Sequence, residues 1–174
     1  MMIPSSNTFT HQLIEQNIKI GDLVLDGTTA NGVNTRFLAT RVGNEGHVLS
    51  YATTKDNANA AAASLFMSGL SERVTLLGHQ ITPQLRTDMG ERKQISVAIF
   101  DYSSDTENTH DQPSNLIDQI SLVLPKLTHG GLLITKFNAT PEDWLDYLSE
   151  LIPEDFSQAN YTTSTTQTFI IERI

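Results

Sequence analysis

The chain contains no cysteine. That excludes disulfides, thiol catalysis and the common structural zinc sites. Its five histidines, His11, His47, His79, His110 and His129, are scattered with no pair at i,i+4 spacing, so no metal site is expected. No apolar run approaches the length of a membrane span, and the opening Met1-Met2-Ile3-Pro4-Ser5-Ser6 lacks the charged and apolar regions of a secretion signal. A soluble cytoplasmic protein is therefore expected. Basic residues are scarce, 11 against 20 acidic ones, for a net charge of −9. Phosphate contacts dominate nucleic-acid affinity, which argues against tight, unaided RNA binding. Lys19, Arg36, Arg41 and Lys55 flank the candidate loops, as a local basic patch or as ordinary surface charge. Internal repeats, low-complexity tracts and linkers are also missing.

What is present suits one domain over residues 1–174, with 1–20 as an N-terminal helical segment. Hydrophobic residues make up 39% of the chain, enough for a stable core at this length. Apolar runs alternate with helical patterns, which argues for a mainly parallel sheet covered by helices on both faces. Strands are expected at 22–25, 47–51, 74–77, 95–100 and 132–137. Helices are expected at 10–17, at 35–42, and from an N-cap at Asp56 through an alanine-rich run to Met67, with Leu65 and Phe66 inward. A weaker helix at 81–89 is interrupted by Pro83. A polar, acidic loop spans 102–111, and Pro113 opens a helix carrying Leu116, Ile117, Ile120, Val123, Leu124 and Leu127, stopped by Gly130-Gly131. The last helix starts at Thr140-Pro141-Glu142-Asp143 with Trp144, Leu145, Leu148 and Leu151 inward. The runs 156–161 and 168–174 have no helix between them and must pair as a hairpin, so the sheet closes with an antiparallel strand.

The most informative stretch is Leu23-Val24-Leu25-Asp26-Gly27-Thr28-Thr29-Ala30-Asn31-Gly32. A buried strand ends in an acid, a turn of small residues follows, and Asn34-Thr35-Arg36-Phe37-Leu38-Ala39 continues as a helix. That arrangement seats a nucleotide-like cofactor over the first crossover. It resembles motif I of the S-adenosylmethionine-dependent methyltransferases, and the chain is most similar to the bacterial rRNA methylase family, which includes tRNA-modifying members. Four stretches carry the resemblance: His11-Gln12-Leu13-Ile14, Gly21-Asp22 before the first strand, Gly69-Leu70-Ser71-Glu72-Arg73-Val74, and Leu124-Pro125-Lys126-Leu127-Thr128-His129-Gly130-Gly131. It covers nearly the whole chain and implies a Rossmann-like seven-stranded methyltransferase fold, mostly parallel.

The resemblance also implies site roles. Asp26 would lie near the methionine end of the cofactor, and Asn31 and Gly32 would turn backbone N–H groups toward its carboxylate. Thr28 fits the family pattern, whereas Val33 and Asn34 replace a histidine and an aspartate of the same loop. Ala30 stands where the family has glycine; its methyl group either narrows the space for the cofactor or is tolerated if φ is negative. At the end of the second strand, the acid that holds the ribose hydroxyls is replaced by Ala52. Thr53 or Thr54 could offer one hydroxyl, at a loss of ~1.5–3 kcal/mol. After the third strand, Gly78-His79-Gln80 takes the place of the group that meets the adenine edge, with His79 the candidate contact. After the fourth, Asp101 would accept a proton from, or hydrogen-bond to, the methyl acceptor, an RNA base or a small amine, and Tyr102 would stack on a flat substrate; a plain N-cap or loop role for Asp101 is the alternative. The alternative is a degenerate methyltransferase-like domain acting as a binding or structural module, to which Ala30, Ala52 and Gly78-His79 point. Dinucleotide oxidoreduction is disfavoured because no Gly-x-Gly-x-x-Gly turn is present.

Overall fold

The computed structural model describes residues 2–103 and 113–174. Seven strands form one sheet: β1 (Leu23–Asp26), β2 (His47–Tyr51), β3 (Val74–Leu77), β4 (Ile95–Tyr102), β5 (Leu127–Phe137), β6 (Phe156–Thr162) and β7 (Gln167–Arg173). Their order is β3-β2-β1-β4-β5-β7-β6. The first five are parallel, β7 runs antiparallel to β5, and β6 closes the hairpin at the edge. From β1 the chain builds outward to β2 and β3, then returns to place β4 on the other side. β1 and β4 thus flank the point where the order reverses, where such sheets open a crevice.

Alternation along the strands produces two cores. Val24, Val48, Val97, Ile99 and Ile134 face α1 (Ser6–Asn17), α2 (Val33–Val42) and α3 (Lys55–Met67), meeting Ile14, Leu38, Ala39, Val42 and Leu65. Leu23, Leu25, Leu49, Ala98, Phe100, Leu133 and Phe137 face α4 (Leu85–Asp88), α5 (Leu116–Val123) and α6 (Glu142–Glu150), meeting Leu85, Ile120, Val123, Trp144 and Leu148. Among the described residues, no helix is long and apolar enough to cross a membrane.

Several boundaries differ from expectation, each for a local reason. α1 starts at Ser6, four residues early, because Ser5 caps it by accepting from the Thr8 N–H at 3.1 Å. α3 is capped by Thr54, not Asp56, through a bond from the Asn57 N–H. Phe66 points to solvent at 77% exposure, since the neighbouring Leu65 already occupies the inner face with Ala61. Leu145 is likewise half exposed beside the buried Trp144. α4 shrinks to Leu85–Asp88 beyond Pro83. α5 starts at Leu116 rather than at Pro113 and passes into a 3-10 turn at Leu124–Lys126. Gly130-Gly131 does not stop that helix. It lies inside β5, where Ile95 pairs with Leu127 but Val97 with Leu132, so the extra residues form a bulge. Of the acidic loop expected over 102–111, Tyr102 belongs to β4, and residues 104–111 lie outside the described residues.

Candidate functional site

β1 delivers Asp26 to the reversal point, fully buried. The next residue must be glycine, because a Cβ on Gly27 would stand 2.3 Å from the Phe100 ring. The loop therefore lies flat on β4, with the Gly27 N–H bonded to the Ile99 carbonyl at 2.8 Å. The Thr28 N–H turns back to Asp26 Oδ1 at 2.9 Å, and the Thr28 hydroxyl accepts the Asp101 N–H at 2.8 Å. Two left-handed residues complete the turn, Ala30 at φ +54° and Gly32 at φ +87°. Ala30 thus keeps the conformation that glycine would adopt, at about 1–2 kcal/mol, so the condition of a negative φ is not met. Among the described residues the N–H groups of Ala30 and Asn31 have no partner, whereas the Gly32 N–H, expected to face a cofactor carboxylate, donates instead to the Thr29 carbonyl at 2.8 Å.

Behind the loop runs a directed chain of hydroxyls. Thr35 donates to Asp26 Oδ2 at 2.7 Å, Ser50 lies 2.7 Å from Thr35, and Thr29 lies 2.6 Å from Ser50. Thr35 has one hydrogen and gives it to the carboxylate, so Ser50 must donate to Thr35 and Thr29 to Ser50. Asp26 thereby ties the loop, α2 and β2 together. Burial raises its pKa from 3.8 to about 6; the Thr35 and Thr28 hydrogen bonds lower it, and the nearby Asp101 charge adds to the rise.

Asp101, at the end of β4, is held from four directions. Oδ1 accepts the Ser103 N–H at 2.9 Å and hydroxyl at 2.6 Å. Oδ2 accepts Asn34 Nδ2 at 3.2 Å and faces Lys136 Nζ at 3.5 Å, a pair buried on both sides. Lys136 also donates to Asn7 of α1, and Asn34 Oδ1 meets His11 Nε2 at 3.3 Å. The His11 ring stacks on Phe37 with centroids 3.9 Å apart. Burial lowers the His11 pKa, outweighing the Asn34 bond, so the ring stays neutral and donates to Asn34.

Above these groups opens a small cavity of about 60 Å³ that continues into open solvent. Its floor is Gly27, Thr28, Thr29 and Ala30; Thr53 and Gln80 enter from the ends of β2 and β3; Asp101 and Tyr102 enter from β4; and Pro113 and Gln119 enter from the α5 side. Tyr102 stacks on Phe137 at 5.8 Å, and its pKa is raised by burial and by the Asp26 charge, which keeps the phenol a hydrogen-bond donor. Of the candidate residues, Thr28, Thr53, Asp101 and Tyr102 meet in this wall. Asp26 and Asn34 are buried behind it, and Asn31 and Gly32 form the start of α2, Asn31 Oδ1 accepting the Val33 N–H. His79 is exposed, with Nδ1 2.7 Å from the Gln80 carbonyl oxygen, and is not in the wall. Ala52 is fully buried.

Sequence reasoning missed Lys136, Asn7 and Gln119. Lys136 had a signal, since a lysine inside an apolar strand is almost never buried unless paired. Gln119 had one too, sitting on the apolar face of α5 between Leu116 and Ile120. Asn7 had none. Among the described residues, no group of three or more His, Cys, Asp or Glu side chains could hold a metal.

No family model matches the sequence, and no curated protein does. Solved structures do. A candidate rRNA methylase from Clostridium thermocellum superposes with a TM-score of 0.84 at 23% identity over all of both chains. A candidate methyltransferase from Streptococcus mutans, in complex with S-adenosylhomocysteine, gives 0.82 at 20% identity over 99% of this chain and 100% of that one. An rRNA methylase from Streptococcus thermophilus gives 0.80 at 21% identity, covering 100% of this chain and 99% of its own. The chain therefore has the seven-stranded methyltransferase fold along its whole length.

Proposed function

We propose that the cavity binds S-adenosylmethionine and that the protein is a methyltransferase whose acceptor is a nitrogen of an RNA base or of a small amine. The observation that carries this reading is the position of the cavity, at the carboxyl ends of β1 and β4 where the strand order reverses. The residues fit the amino-acid end of such a cofactor: the free N–H groups of Ala30 and Asn31 suit its carboxylate. Thr53 would offer a hydroxyl to the ribose. The bound cofactor supplies an electrophilic methyl group on a sulfonium, so the protein has mainly to align the acceptor and handle its proton. Asp101, fixed by Ser103, Asn34 and Lys136, would orient an acceptor N–H, and Tyr102 would present a flat face or its phenol hydrogen. The cysteine-free composition is compatible with work in the cytoplasm.

A second reading, a binding or structural module that has lost the cofactor, is favoured by one observation. Ala52 is buried where the ribose-holding acid would stand, and Asp101 is the sole carboxylate in the described cavity wall. Calorimetric titration with S-adenosylhomocysteine separates the two. Saturable binding, followed by transfer of labelled methyl to bulk RNA or to an amine panel, supports the enzyme; no heat at millimolar ligand supports the module.

A further inference from the structure

One residue of the cavity wall keeps a buried acceptor that is left over after its neighbouring amides have paired. Gln119 lies on the apolar face of α5, and only 2% of it is exposed. Its Nε2 donates to Asn115 Oδ1 at 3.2 Å, and Asn115 Nδ2 donates to Gln80 Oε1 at 3.2 Å. Gln119 Oε1 has no partner among the described residues. Both Gln80 and Gln119 line the cavity, so this amide relay begins and ends at the same wall. Native proteins keep few buried polar atoms unpaired. A leucine or methionine would fill the same space beside Leu116 and Ile120 without that cost.

The relay also has a direction. With Asn115 Nδ2 toward Gln80, Asn115 presents its carbonyl to Gln119, so Gln119 must direct Nε2 inward and is left with its own oxygen. A ligand carbonyl placed there would meet another oxygen. A ligand amino group completes the chain.

We infer that Gln119 Oε1 is a specificity-determining acceptor that reads an exocyclic amino group on the cavity's ligand. This rests on the proposed function only in placing a ligand there. The same amino chemistry can come from the adenine of the cofactor or from the methyl acceptor.

The test follows the Gln119 side-chain amide signal of the full chain by NMR during titration with adenosine, cytidine and inosine. Inosine carries a ring carbonyl where adenosine carries its amino group. Adenosine or cytidine is expected to shift the signal and to bind about ten-fold more tightly than inosine. Gln119→Met, with an unchanged melting temperature, is expected to lose that preference; should it not fold, the wild-type ratio decides alone. A response to adenosine that S-adenosylhomocysteine competes away assigns the amino group to the cofactor, one to cytidine only assigns it to the acceptor, and one to both supports the shared chemistry. Equal or tighter binding of inosine overturns the inference, as does the absence of any shift with all three at millimolar concentration. If S-adenosylhomocysteine fails to bind while adenosine or cytidine shifts Gln119, the proposed function falls and this inference stands.

Discussion

The two ends of the crevice are built from opposite materials. At the ends of β1 and β4, buried polar groups are bonded in depth: Asp26 through three hydroxyls, Asp101 through Ser103, Asn34 and Lys136. At the ends of β2 and β3, the equivalent positions are the fully buried Ala52, the side-chain-free Gly78 and the exposed His79. Space does not force that bareness at Gly78, where a Cβ would make only ordinary contacts with Lys55 and Ala58. The polar groups at the first end are spent on the scaffold, whereas at the second end Thr53 and Gln80 are the side chains that face the cavity.

The largest effect should come from the buried ion pair. Lys136→Met leaves the Asp101 carboxylate in the interior without its cation and is expected to cost about 3–5 kcal/mol in urea unfolding. Thr53→Ala, at the bare end, is expected to change stability by less than about 0.5 kcal/mol. Similar losses at both positions would show that the two ends support the scaffold equally.

Next is pH. Asp26 has a folded pKa of about 6 against 3.8 for the free group, so the native state holds its proton to higher pH. Its contribution favours folding below about pH 4 and is lost as pH rises through about 6, a change of about 3 kcal/mol. Asp26→Asn is expected to remove this slope, read as the difference between wild-type and variant unfolding energies across pH 4 to 7.

The bare end can then be furnished. Thr53 lies in the cavity wall and Ala52 does not, so Thr53→Asp is expected to tighten S-adenosylhomocysteine about ten-fold in calorimetry. Unchanged affinity would mean that the ribose does not lie at that end. The smallest effect belongs to the turn. Ala30→Gly relieves the left-handed strain but loosens the unfolded chain, for a net stabilisation of about 0.5–1 kcal/mol in thermal unfolding.

Much of the fold was legible because it is periodic. The alternation of Leu23, Val24 and Leu25, the alanine-rich run of α3 and the helix-free gap between β6 and β7 each have one economical reading. Boundaries were less legible where two neighbours compete for the same face, as with Leu65 and Phe66, or where glycine serves a bulge rather than a stop, as in β5. The candidate site was legible in part. The loop after β1 identified Thr28 and the β4 end identified Asp101 and Tyr102, but nothing local revealed that Asp101 would meet Lys136, 35 positions along the chain.

The strand-and-helix alternation, the strand–loop–helix that opens the crevice and the exclusion of thiol chemistry follow from spacing and composition, which a linear chain displays. That Asp26 faces inward, that Ala30 accepts a left-handed turn, and that Gln119 ends an amide relay with an oxygen unpaired among the described residues emerge only in the folded molecule. The physical reason is that the state of a polar group depends on what desolvates it and what bonds it. Both come from segments that only folding brings together.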